Sequence, residues 1–329
     1  MKNKMKTLTM LSGLTVASMY TINRIKYSLY TVKNYLKYTE NNYYEWRFGK
    51  IRYCKKGSGA PLLLLHDLTV GSCVYEFDKI TDSLSASHEV YAIDLLGYGL
   101  SDKPYITYTN YLYVQLVIDF IKNIIRKKTD IIATGDSVPI AVMACHNDPE
   151  AINKMIFINP KNLYESNLIP SKQTKLLKYL LETPIMGTYI YNLLTNKISM
   201  EKTFRQDYFY NPMNIDEKDI LAYLEAAHFP DHSSKYVYSS YLSKYINTNI
   251  IHALKEINHS ISIIGGKEEP GMDDTIKNYT YYNSAIESVL IPYTKHLPHM
   301  ESPDQVMESI HMFLHSKTPL QTNEHPSYK

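Results

Sequence analysis

Five short stretches of this 329-residue chain carry the side chains that could do chemistry: LLLLHDLTVGS (62–72), DLLGYGLSDKP (94–104), TGDSVP (134–139), GGKEEP (265–270) and KHLPHMESPDQV (295–306). They supply Ser137 in a glycine-containing turn, the adjacent Glu268 and Glu269, and His296 with His299 three residues on. A serine hydroxyl is a poor nucleophile until a base takes its proton, and the base needs an acid to hold its tautomer and stabilise its cation. Serine, acid, histidine is one of the chain orders in which such a triad occurs. Each member also has a plain structural role. Ser and Asp commonly cap helices after a strand, paired glutamates form solvated turns, and most of the 12 histidines must serve other purposes. His299 reads as a structural or pocket-lining residue. His296-x-x-His299 is not accompanied by a third ligand at metal-site spacing, so neither a metal nor another cofactor is expected.

These stretches need a scaffold that brings them together. YEWRF, the Gly49 turn and KIRYCKK predict a hairpin from residue 44. PLLLLH (61–66), HEVYAID (88–94), DIIATG (130–135) and MIFIN are short apolar runs of the kind buried in a parallel sheet. Residues 70–84, 111–127 and 139–146 carry helical spacing between them, so strand and helix alternate as in a right-handed α/β sheet. From 161 to 257 the pattern is helical and tyrosine-rich. Strand character then returns at 260–264 and 288–291, followed by a closing helix over 302–315. Glycine follows this division: seven of the 12 fall between Gly49 and Gly135, and Gly187 is alone between 136 and 264.

With all five fragments in order at predicted strand ends, residues 44–315 resemble the α/β-hydrolase fold superfamily, and Trp46 through Pro104 look most like its cap-bearing esterases, dehalogenases and pheophytinase-like hydrolases. The resemblance implies a mostly parallel sheet of about eight strands with helices on both faces. It divides the chain into a core of 44–160 and 258–316, a helical cap of 161–257 with a largely apolar pocket, an N-terminal segment of 1–43 and a disordered tail of 317–329. It also implies Ser137 as nucleophile, His296 as base and Glu269 as acid, with Glu268 the alternate. The oxyanion hole would be the backbone N–H groups of Leu68 and Val138. An aspartate nucleophile at Asp136 would put Gly135 next to the nucleophile instead of two residues before it. DLLGYGLSDKP is read as scaffold. The expected activity is hydrolysis of a small or apolar ester through an acyl-enzyme.

The sequence departs from the family at three active-site positions: the usual His-Gly is His66-Asp67, the closing glycine of G-x-S-x-G is Pro139, and Lys295 precedes the base. These departures support a second reading, a degenerate hydrolase fold that binds a ligand at a membrane without turning it over. Residues 7–23 are uncharged and flanked by Lys2, Lys4, Lys6, Arg24 and Lys26, as in an interfacial helix, a weak signal anchor or a signal peptide. A helix packed on the domain, in a cytoplasmic or secreted protein, is the alternative. The formal charge of +2 gives no field for nucleic acid, and three scattered cysteines give neither a disulfide framework nor a CxxC site.

Overall fold

The computed structural model describes residues 2–31, 34–36 and 41–315; the expected tail at 317–329 lies outside the described residues. Strands β1 (Asn42–Trp46) and β2 (Gly49–Lys56) form the antiparallel hairpin, and β2 pairs antiparallel with β4 (His88–Ile93). The other pairings are parallel, among β3 (Ala60–Leu65), β4, β5 (Thr129–Thr134), β6 (Ile152–Ile158), β7 (Ile261–Gly266) and β8 (Glu287–Ile291). The sheet order is β1-β2-β4-β3-β5-β6-β7-β8.

The central strands are apolar on both faces because both faces are covered. Leu63, Leu65, Ile131 and Phe157 pack into one core with Val114, Val117 and Ala141. On the opposite face, Leu62, Leu64, Ile132 and Ile156 pack with Phe77, Ile80 and Ile310. The covering helices are α2 (Asp78–Ser85), α3 (Asn110–Phe120), α4 (Val138–Asn147), and, after the insertion, α12 (Met272–Tyr282) and α14 (Pro303–His315). The helix expected from residue 70 starts later because Asp94 accepts the Val74 N–H and residues 74–77 take a tight 3₁₀ turn first.

Between β6 and β7 lie helices α5 (Leu163–Ser166), α6 (Lys172–Glu182), α7 (Ile185–Leu194), α8 (Lys197–Thr203), α9 (Glu217–His228), α10 (Ser234–Leu242) and α11 (Ile251–Glu256). A third apolar cluster joins this insertion to the strand ends, with Met200, Phe204, Tyr208 and Tyr223 against Cys73, Tyr75, Leu297 and Met300. The N-terminal helix α1 (Lys2–Thr31) packs against α7 and α9. Its buried Asn23 accepts from the Asn192 side chain, and Lys26 Nζ donates to the Asn192 carbonyl. The short α13 (Pro298–Glu301) leads from the His296 loop into α14.

Candidate active site

The turn after β5 decides where a nucleophile would stand. The strand runs through Thr134 in extended conformation, and the chain reverses at Gly135, whose φ is +50°. A left-handed apex between strand and helix is the geometry that lifts a nucleophile side chain clear of the sheet. The apex here has no side chain. Ala133 and Ser137 flank it at the two small-residue positions of the elbow pattern, so the motif lies two residues before the place that the resemblance implies.

Ser137 is therefore not the exposed residue of this turn. It is fully buried, and its Oγ donates toward the carbonyls of Leu65 (3.0 Å) and Thr134 (2.8 Å) and accepts the Thr134 N–H. The hydroxyl closes the turn against the neighbouring strand β3. The assignment of Val138 as oxyanion donor changes for the same reason: its N–H bonds the Gly135 carbonyl inside the turn. Pro139 leaves Val138 helical (φ −57°, ψ −46°) and sits in the first turn of α4, where a missing N–H costs nothing. Asp136 faces the insertion, accepting from Tyr241 Oη at 2.9 Å and pairing with Lys161 at 2.6 Å.

Beside the apex, two N–H groups converge, that of Leu68, which the sequence assigns to an oxyanion hole, and that of Asp136. Both donate at 2.7 Å to a single oxygen, Asp67 Oδ1. A family oxyanion hole is made from the residue after the apex and the loop after β3; in this chain the N–H groups at those two places bond a carboxylate of the protein itself. A Cβ built on Gly135 would fall on the Asp67 carboxyl group, closer than any van der Waals contact allows. The absent apex side chain and the added carboxylate thus occupy the same space.

Asp67 Oδ2 bonds His296 Nε2 at 2.9 Å, and His296 Nδ1 faces Glu269 Oε1 at 3.5 Å. Glu269, and not Glu268, is the acid beside the imidazole. Ser137 is brought to neither. Burial by itself would depress the imidazole, but hydrogen bonds to Asp67 and Glu269 outweigh it and hold His296 protonated well above the usual histidine range. Burial pushes the Asp67 carboxyl up, and His296 with the two backbone N–H groups brings it below its ordinary value. An imidazolium with both nitrogens committed to carboxylates is not free to accept a proton from a hydroxyl. Tyr208 stacks on its ring at 5.1 Å and donates to Thr69.

Behind this pair lies a buried layer that residue types and spacing did not single out. Glu76 is fully buried, accepts from the Thr134 hydroxyl and the Asp67 N–H, and lies 3.4 Å from His299 Nε2. His299 stacks on Phe77, in keeping with a structural role. A single acid within the apolar run VYEF is the only local trace of Glu76, whereas Tyr241 and Lys161 carry no sequence signal for their places beside Asp136.

The cleft in front of Gly135 and His296 has a volume of about 300 Å³ and is lined by polar groups including Asn162, Lys244, Tyr241, Glu269 and Thr275. The largely apolar pocket expected of the cap at 161–257 is not its lining, and the cap residues Leu176, Tyr179 and Leu193 are exposed. The 94–104 stretch is scaffold, with Asp94 accepting the Val74 and Leu100 N–H groups and Lys103 Nζ donating to the Gly99 and Ser101 carbonyls. Among the described residues, no group of three or more His, Cys, Asp or Glu side chains is arranged to hold a metal ion.

A 2-hydroxy-6-oxo-6-(2'-aminophenyl)hexa-2,4-dienoic acid hydrolase of Metapseudomonas resinovorans is 28% identical over 116 residues, 34% of this chain and 39% of that protein. The match thus spans about two fifths of the relative's length. Among solved structures, a serine hydrolase of carbazole degradation superposes with a TM-score of 0.69 at 16% identity, covering 84% of this chain and 98% of the other. The carboxylesterase CesB of Bacillus subtilis gives 0.66 at 15% identity, covering 92% and 99%. At such identities these structures share the fold. The model of the alpha/beta hydrolase family matches residues 62–309, three quarters of the length, and the chain belongs to that family.

Proposed function

We propose that this chain is a ligand-binding member of the alpha/beta hydrolase family in which the acyl-enzyme route is closed. One observation carries the reading: the elbow apex is Gly135, and the oxyanion donors behind it are taken by Asp67. A tetrahedral intermediate needs a nucleophile and a vacant pair of donors, and this site offers neither. The base that would activate a nucleophile is an imidazolium clamped between two carboxylates. Hydrolysis of an ester through Ser137 would require its buried hydroxyl to leave two carbonyls and rotate out of the core. The polar cleft, with Asn162, Lys244 and Thr275 in its wall, suits a small hydrogen-bonding ligand better than an apolar ester.

The test is labelling by a fluorophosphonate together with turnover of a panel of simple esters. The wild-type protein is expected to show neither. Gly135→Ser combined with Asp67→Gly, which supplies the hydroxyl and empties the donors together, is expected to gain labelling; Gly135→Ser alone is not, because its side chain meets Asp67. Labelling of wild type that disappears in Ser137→Ala would overturn the proposal and restore the serine-hydrolase reading.

A further inference from the structure

The outer face of α1 is apolar and uncovered. Leu11, Leu14, Ile22, Ile25 and Leu29 recur at helical spacing, with Ser18 completing the stripe, and the five apolar side chains are 38–68% exposed. The opposite side of the same helix is the docked one: buried Asn23 and half-buried Lys26 bond Asn192, and Tyr30 packs on His228. Only the last third of the helix has this support. Residues 4–7 and 9–18 are all exposed, and they include Thr, Ser and Gly, which are weak helix formers. A segment of this kind is marginal as a helix in water, so its order calls for a further partner.

Two observations identify the partner's chemistry. The first is charge. The first 39 residues hold seven Lys and Arg and no Asp or Glu, leaving 28 basic against 33 acidic residues in the remainder, a net of −5. A basic arm on an acidic body fits an anionic surface. The second is the state of the hydroxyls. Thr9, Thr15, Ser18 and Thr21 each donate to the carbonyl four residues earlier, and Ser12 to the one three earlier. Hydroxyls satisfied within the helix add little cost when the helix enters an apolar medium. No helix among the described residues is long and apolar enough to cross a membrane, which leaves the interface plane as the depth that such a helix can occupy.

We propose that α1 binds in the headgroup region of an anionic bilayer, its Leu/Ile stripe in the acyl boundary and its exposed Lys4, Lys6 and Arg24 on the lipid phosphates. The full-length protein is tested by flotation with phosphatidylcholine vesicles containing or lacking phosphatidylglycerol. Wild type is expected to float with the anionic vesicles, less so as salt rises, and to remain with the soluble fraction when the vesicles are neutral. Leu14→Asn combined with Ile25→Asn is expected to weaken binding by about tenfold or more with an unchanged melting temperature, since both side chains are exposed and outside the core. Lys4→Glu with Lys6→Glu should weaken it through charge alone. Failure of wild type to float with anionic vesicles at low salt, or equal flotation of the Leu14/Ile25 variant, would overturn the proposal. So would a lipid-free dimer, seen by light scattering, that the same variant abolishes, because the stripe would then belong to a second copy of the chain.

Discussion

At the scale of single residues, the defining feature is a substitution of roles at one point in space. Asp67 accepts both N–H groups beside the turn, and Gly135 lacks the side chain that would have collided with its carboxyl group. The pair with His296 has a consequence that depends on pH. Asp67, with its folded value lowered, contributes stability above its unfolded value near ~4 and loses it as pH falls through the folded one. His296, with its folded value raised, contributes stability below its unfolded value near ~6.5 and loses it as pH rises through the higher folded one. The stability gap between wild type and Asp67→Asn should therefore be widest between about pH 4 and 6.5 and narrow on either side. The ring proton signals of His296 should report a charged imidazole through neutral pH in wild type and move toward ordinary titration in Asp67→Asn. A wild-type midpoint at the free-histidine value would contradict the clamp. Ser137→Ala gives a second residue-scale prediction. It leaves the buried Thr134 N–H without its acceptor, so unfolding should be easier by about 1–2 kcal/mol, read as a denaturation midpoint, while occupancy of the cleft by a ligand is unchanged.

At the scale of elements, the site is held by loops braced against one another. Tyr98, in the turn after β4, donates to the Leu68 carbonyl at 2.8 Å and so fixes the loop that carries Asp67. That turn begins at Gly97, at φ +91°, where a Cβ would lie 2.7 Å from the Tyr108 ring and 2.9 Å from Val237 of α10. Gly97→Ala should cost about 1–3 kcal/mol through backbone strain and displaced packing, observed as a lower melting temperature; an unchanged one would show that α10 is not braced here. The strands and most core helices follow from local patterning, because apolar runs of five to seven residues between turn signals have few other solutions. The insertion follows less closely. Its helices are evident from 161 to 257, but their side chains reach across long sequence separations, and helical spacing alone did not separate the residues of the polar cleft from those exposed to solvent.

At the scale of the whole molecule, an eight-stranded sheet carries a helical insertion on its strand ends, and α1 rests on α7 and α9 of that insertion. Stability should be distributed accordingly. In lipid-free solution, amides of β3, β5 and β6 are expected to exchange hydrogen slowest, those of residues 23–31 at an intermediate rate, and those of 4–18 fastest. Hydrogen exchange read by mass spectrometry tests the order, and slow exchange over 4–18 without lipid would show that this part of the helix has a partner within the protein.

The amino-acid sequence by itself determined the family, its mostly parallel sheet and Glu269 and His296 as neighbours, because each depends on a motif tied to the end of a locally encoded strand. The two-residue displacement of the elbow was decided only in three dimensions. Whether Gly135 or Ser137 is the apex depends on where β5 stops, and what fills the apex depends on Asp67, which lies 69 residues from Asp136 in the chain and 2.7 Å from its N–H in the fold. Local patterning records that the sequence holds a serine, an acid and a histidine. Only the turn's handedness and the contacts made across the sheet show that the serine faces the core and that a carboxylate holds the place of its chemistry.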